Sequence, residues 1–189
     1  MSHKKEKVWW HKGLPCVVLM TSMGHRCGYV GVSPTHPLWG RSYSKHIPAL
    51  NQLLINRMFK DEEEKEERVS FISWLCWDGQ ESRADVVFEV HGGVTFMDGG
   101  RGYPEDIPCW VSLTTRSRAE IDFGMWWVGY DCGHSGDGKD LSVLKPSLRR
   151  IYESHSIHEG TLRSLEYCVE ECNHLANQID YVEYGRYYK

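Results

Sequence analysis

The chain has 189 residues, 41% of them hydrophobic, enough for one domain with a buried core and short for two. Its 22 basic and 26 acidic residues leave a formal net charge of -4, which disfavours the broad cationic surface of a generic nucleic-acid binder. No apolar run approaches the roughly 20 residues that cross a bilayer, and no apolar signal core follows the basic start MSHKKEKVWWHKG, so the expectation is a cytoplasmic protein with no membrane partner.

Along the chain, Cys16 to Met20 follows a Gly-Leu-Pro turn and, being rich in valine, predicts a strand. GYVGV (28–32) predicts a second short strand, and SPTHPLWG (33–40) a loop, because two prolines and a glycine interrupt regular structure. Residues 48–59 open on a proline suited to a first helical turn and place Leu50, Leu53, Leu54 and Met58 at helical spacing. The charge run at 61–67 reads as a solvated segment. VSFISWLCW (69–77) alternates like a strand, and DVVFEVHGGVTF (85–96) gives the clearest strand signal, interrupted by a Gly-Gly pair that suggests a bulge or a close approach. A Gly/Pro-rich loop follows at 97–110. MWWVGYDCGH (125–134) reads as a strand running into a glycine-rich loop, and residues 138–160 look irregular. The last element is an amphipathic helix with Thr161 as N-cap and one stripe of Leu162, Leu165, Val169, Cys172, Leu175, Ala176 and Ile179.

Strands dominate early and helix late, which points to an α+β fold: a single domain with an antiparallel or mixed sheet of at least four strands, packed by the C-terminal helix and the shorter helix near 48–59. Seven cysteines (16, 27, 76, 109, 132, 168, 172) without a CxxC read as free thiols of a reducing compartment.

The segments GHRCGYVGV, HPLWG, HGGVTF and WWVGYDCGHSGD, with the terminal LRSLEYCVEECNHLANQI, resemble a family of small uncharacterised bacteriophage and prophage proteins. Its pattern runs GH-x-C-GYV, HP-L-x-G, HGG-[LV]-T-[FY] and WW-x-G-[FY]-DC-x-H-x-GD, closed by a helix of the form YV-x-x-E-x-x-x-LA-x-Q-[LI]. The match falls on residues 24–40, 91–96, 126–137 and 165–179. The chain departs from it in a long charged stretch between Tyr43 and Val86 and in Cys168, which stands at a valine position. The resemblance implies a phage or prophage origin and action inside a bacterial cell. It brings no activity with it, and only the context suggests an anti-defence role directed at a nucleotide signal.

Polar residues gather at the glycine-rich strand ends: His25, Cys27, His36, His91, Thr95, Asp131, Cys132, His134 and Asp137. Four readings stand side by side. In the first, a hydrolase, His91, Asp131 and His134 are catalytic, because imidazole titrates near neutral pH and a carboxylate fixes its tautomer; D-x-x-H-x-x-D is a weak pattern by itself. Around them His36, Gly92, Gly93, Thr95, Trp127, Tyr130 and Asp137 would bind a nucleotide-sized ligand, the aromatic rings stacking a base and the glycine amides reaching phosphate. In the second, a divalent metal is held by two histidines and two aspartates; the spacing matches no zinc signature, and no cofactor is the leading expectation. In the third, the same ligand is sequestered without chemistry. In the fourth, the protein inhibits a host protein, docking through the acidic run at 61–67. Strand alternation adds that Trp126 and Trp127 face opposite ways, as do Asp131 and Cys132, with Cys132 the buried one. The plain alternative for every residue is structural: His91 bonding a turn, the aspartates capping loops, His134 an exposed turn residue. Oligomeric state stays open.

Overall fold

The computed structural model describes residues 4–51, 53–54, 82–99, 124–155 and 159–184. Within them the fold is α+β, built on one antiparallel sheet. Its strands are β1 (Lys4–His11), β2 (Leu14–Met20), β3 (Arg26–Val32), β4 (Phe96–Gly99) and β5 (Trp126–Asp131), in the spatial order β1-β2-β3-β5-β4. The described helices are α1 (Ala84–Val87), α2 (Pro146–Ser154) and α3 (Leu165–Tyr184). None of them is long and apolar enough to cross a membrane.

The β1–β2 hairpin closes through the two-residue loop Lys12-Gly13, with His11 paired to Leu14. Both loop residues have positive φ, 52° and 73°, the requirement of a hairpin turn whose twist matches its strands. At the centre, β3 and β5 pair Gly28 with Tyr130 and Tyr29 with Gly129. A Cβ on Gly28 would sit 2.4 Å from the Tyr130 ring, and one on Gly129 2.4 Å from the Tyr29 ring. Each tyrosine therefore lies across a strand that has no side chain to obstruct it.

The two faces of the sheet are built differently. On one face α3 lies across β1, β2 and β3, burying Cys168, Cys172, Leu175, Ala176, Ile179 and Val182 against Cys16, Val18, Val30, Val128 and Tyr130. The other face carries Val17, Leu19 and Trp127, with Tyr29 and Phe96 in edge-on contact at 5.4 Å. β5 divides its side chains between them as alternation requires: Val128 and Tyr130 go to the helix, Trp127 to the far side.

Several local expectations change. DVVFEVHGGVTF is not one strand. Ala84–Val87 is a single helical turn, Val90 to Gly93 is a tight turn closed by Gly93 N–H donating to Val90 O at 2.8 Å, and the strand starts only at Phe96. A short apolar run fits helix or strand equally, and here Val87 and Phe88 are buried without sheet pairing. β4 extends into the predicted loop as far as Gly99. Residues 138–160 hold a 3-10 turn at Leu141–Val143 and α2, which opens on Pro146. The C-terminal helix begins at Leu165, leaving Leu162 outside it and 42% exposed. Near 48–59, Pro48–Leu50 is a 3-10 turn and Asn51, Leu53 and Leu54 are helical. The remainder of that helix, the acidic run at 61–67, the strand expected at 69–77, Cys76 and Cys109 lie outside the described residues.

Candidate functional site

Two turns and the start of α3 build the site. The Val90–Gly93 turn carries His91, whose amide donates to Glu171 Oε2 of α3 at 2.6 Å. Gly92 and Gly93 sit at φ of 66° and 83°, backbone that glycine adopts without strain. Beyond β5, the chain turns at His134–Asp137, closed by Asp137 N–H donating to His134 O at 3.1 Å. The Asp137 carboxylate folds back to accept the His134 N–H at 3.0 Å, a local turn bond that aspartate side chains commonly make.

Asp137 is the centre of the arrangement. Its side chain is 2% exposed, and its Oδ2 lies 2.9 Å from His91 Nε2 and 3.6 Å from His134 Nδ1. Its Oδ1 accepts from Arg163 Nε at 2.9 Å. Burial acts to raise this carboxyl's pKa, but bonds from His91, Arg163 and the His134 amide outweigh it and hold the group at about 2. Asp137 is thus an anion at neutral pH. His91 is held at both ends: its Nδ1 lies 3.0 Å from Tyr167 Oη. Arg163 lies over the Tyr167 ring at 5.2 Å, so one tyrosine orders both a ligand of the carboxylate and the imidazole beside it. The rings of His91 and His134 are 5.5 Å apart, and the His134 side chain is 37% exposed. The His134 ring lies against Gly92, where a Cβ would fall 2.0 Å from Cε1. His134 Nδ1 is buried and has no hydrogen-bond partner.

The structure therefore brings together three of the sequence candidates, His91, His134 and Asp137, but exchanges the aspartate expected to be catalytic. Asp131 stands outside the cluster; its carboxylate accepts from Thr95 Oγ1 at 3.0 Å and from Gly133 N–H at 2.9 Å, linking β5 to the residue before β4. Thr95 serves that link. Gly92 is part of the site through its approach to His134, and a Cβ on Gly93 would meet Asp85 O at 3.2 Å.

The remaining candidates, His25 excepted, are core residues. His36 is 3% exposed; its Nδ1 accepts from Leu38 N–H at 3.1 Å, and burial lowers its pKa to about 4. Trp127 is 2% exposed on the far face of the sheet. Tyr130 is 1% exposed and donates its hydroxyl to Cys168 O at 2.8 Å. Neither ring is available to stack a base. Cys132 is buried, as alternation requires, with its Sγ 3.7 Å from Cys168 Sγ; that shared contact and burial push its thiol up, opposite to what a nucleophile needs. Cys27 is buried too, its thiol raised by burial to about 12. His25 lies apart, with its Nδ1 3.4 Å from Lys139 Nζ.

Sequence reasoning passed over Arg163, Tyr167 and Glu171. Their four-residue spacing is itself a signal, since it aligns three polar residues on one side of a helix and the turn leading into it. It went unseen beside the stronger apolar stripe.

Protein-family models, curated proteins and solved structures were all compared with this chain, and none matches it.

Proposed function

We propose that the protein is a hydrolase of small phosphoesters, nucleotides foremost, acting at the His91–Asp137–His134 site. One observation carries this reading: two imidazoles converge on a single buried, ionised carboxylate beside an arginine. The roles follow from what each group has free. Asp137 stays charged and fixes its neighbours. His91 has both ring nitrogens engaged, so it is a positioned group that holds rather than a free base. His134 is the imidazole that faces the substrate. Arg163 is a fixed guanidinium beside it, suited to the oxygens of a phosphoryl group. Hydrolysis forms a bond from water oxygen to phosphorus, breaks the ester P–O bond, and passes a proton from the water to the leaving oxygen. In the setting that the phage resemblance implies, the substrate would be a nucleotide signal of host defence.

A second reading, sequestration without turnover, draws on the full engagement of His91, which suits holding as well as reacting. Incubation with linear and cyclic nucleotides and with bis(p-nitrophenyl) phosphate, followed by chromatography, separates the two. Product that disappears in His134→Ala and His91→Ala supports the hydrolase. Nucleotide bound and recovered intact after denaturation supports sequestration. If no phosphoester is either cleaved or retained, both readings fall.

A further inference from the structure

We infer that His91 Nε2, His134 Nδ1 and Asp137 Oδ2 form a binding site for one divalent transition-metal ion. The inference deepens the proposed hydrolytic site and rests on the reading of that cluster as functional. Three observations lead to it. The first is spacing. Metal–ligand bonds of about 2.0–2.1 Å at tetrahedral angles separate donor atoms by roughly 3.3–3.4 Å. The two nitrogens stand 2.9 Å and 3.6 Å from Asp137 Oδ2, on either side of that value, and the three residues bring one donor atom each within 4.8 Å of one another.

The second is the state of His134 Nδ1. This nitrogen is buried and stands 3.6 Å from Oδ2, too far for a hydrogen bond. A carboxylate that only closed the His134–Asp137 turn would need the His134 amide and nothing from the ring. A cation between Nδ1 and Oδ2 gives the buried nitrogen its partner and uses a negative charge already in place. The third is the outer layer. A metal-bound histidine characteristically donates its other ring N–H to an oxygen, and a metal-bound carboxylate is itself hydrogen-bonded. Tyr167 Oη stands at His91 Nδ1, Arg163 holds Asp137 Oδ1, and the His134 amide holds Oδ2 at 3.0 Å, so the carboxylate is fixed by hydrogen bonds at both oxygens. The partial exposure of His134 leaves the outward side open to water, the arrangement of a catalytic rather than a structural centre. Two imidazoles and one carboxylate select zinc, manganese, cobalt or ferrous iron over magnesium and calcium, which prefer oxygen. Water bound to such an ion loses a proton near neutral pH and becomes the nucleophile, with His134 then a ligand.

Titration of chelator-stripped protein with Co²⁺, followed by visible absorption, tests this. The expected result is one Co²⁺ per chain, with d–d bands that Zn²⁺ displaces. His134→Ala, checked for folding by circular dichroism, should lose the bands, whereas His174→Ala, at an exposed position of α3, should keep them. Tyr167→Phe should retain the site but weaken it by about 10- to 100-fold. Absence of Co²⁺ binding to the wild type, or unchanged binding to His134→Ala, overturns the inference. Its failure and that of the hydrolase are distinct. Stripped protein that hydrolyses phosphoesters as fast as loaded protein refutes a metal role in catalysis and keeps the hydrolase. Bound Co²⁺ with no phosphoester cleaved keeps the metal site and removes the hydrolase.

Discussion

Gly92→Ala separates the site from the fold more sharply than removal of any side chain within it. The added Cβ would stand 2.0 Å from His134 Cε1, 2.5 Å from Nε2 and 2.6 Å from Nδ1. Carbon atoms at rest sit about 3.5 Å apart or more, so the imidazole must retreat by about 1.5 Å. It can do so, because the ring is partly exposed and turns about its own side-chain bonds. The stability cost is then mainly that of an L-residue at φ 66°, about 1–2 kcal/mol, or a Tm drop of roughly 2–8 °C for a chain of this size. The functional cost is larger, since a displacement of about 1 Å at a reacting group lowers rate by about 10²-fold. Thermal unfolding, Co²⁺ titration and phosphoester turnover on the same preparation give the answer. A folded Gly92→Ala protein that binds Co²⁺ and turns over substrate like the wild type would show that the position of the His134 ring is irrelevant to function.

Three further outcomes follow from the core. Gly28→Ala should show the opposite balance, because its Cβ would meet Tyr130 at 2.4 Å and Cys172 Sγ at 2.6 Å where neither can move aside; a loss of about 1–3 kcal/mol or more in urea unfolding is expected, and an unchanged midpoint would refute the packing described. His36 should make the protein acid-sensitive. Its pKa is about 4 in the folded chain against 6.5 when exposed, so the unfolded state takes up the proton first; stability is full above 6.5 and falls as pH drops toward 4, by roughly 3 kcal/mol. His25, also lowered by burial, adds to that slope, whereas Asp137, held at about 2, acts only below about 3.8. Urea unfolding between about pH 7 and pH 4 should give a shallower slope in His36→Asn than in the wild type, and equal slopes would remove His36 as the cause. Cys16, Cys27, Cys132, Cys168 and Cys172 are buried free thiols, so a maleimide should label them only after denaturation; labelling of the native protein at any of these positions would contradict their burial.

The parts of the molecule that follow strict periodicity were legible in the sequence. Period two set Trp126 and Trp127 on opposite faces and buried Cys132, and the 3.6 period assigned Cys172, Leu175, Ala176 and Ile179 to one stripe. What failed was the step from face to role, because a buried aromatic on a strand reads the same whether it lines a cavity or fills a core. The aspartates illustrate a different limit. Asp131 and Asp137 flank His134 at equal spacing, so sequence cannot choose between them. The choice is made in three dimensions, by a turn that folds Asp137 back under His134 while Asp131, ending a strand, faces Thr95 across the sheet edge. The β1 strand was missed for a chemical reason. An edge strand exposed to water carries lysines and a glutamate, and its one sharp signal was the Lys-Gly turn that joins it to β2.

The paired tyrosines and glycines at the centre of the sheet have a consequence for the site some distance away. Gly28–Tyr130 and Tyr29–Gly129 act as a two-toothed key between β3 and β5. A slip of one residue sets Tyr29 against Tyr130 in one direction or Gly28 against Gly129 in the other, and either turns every side chain of β5 to the wrong face. A slip also carries the end of β5 along by about 3.3 Å, and with it the loop that holds His134 and Asp137. The reading frame of the chemistry is thus cut into the middle of the sheet, where two bare backbones leave each ring a single place to lie.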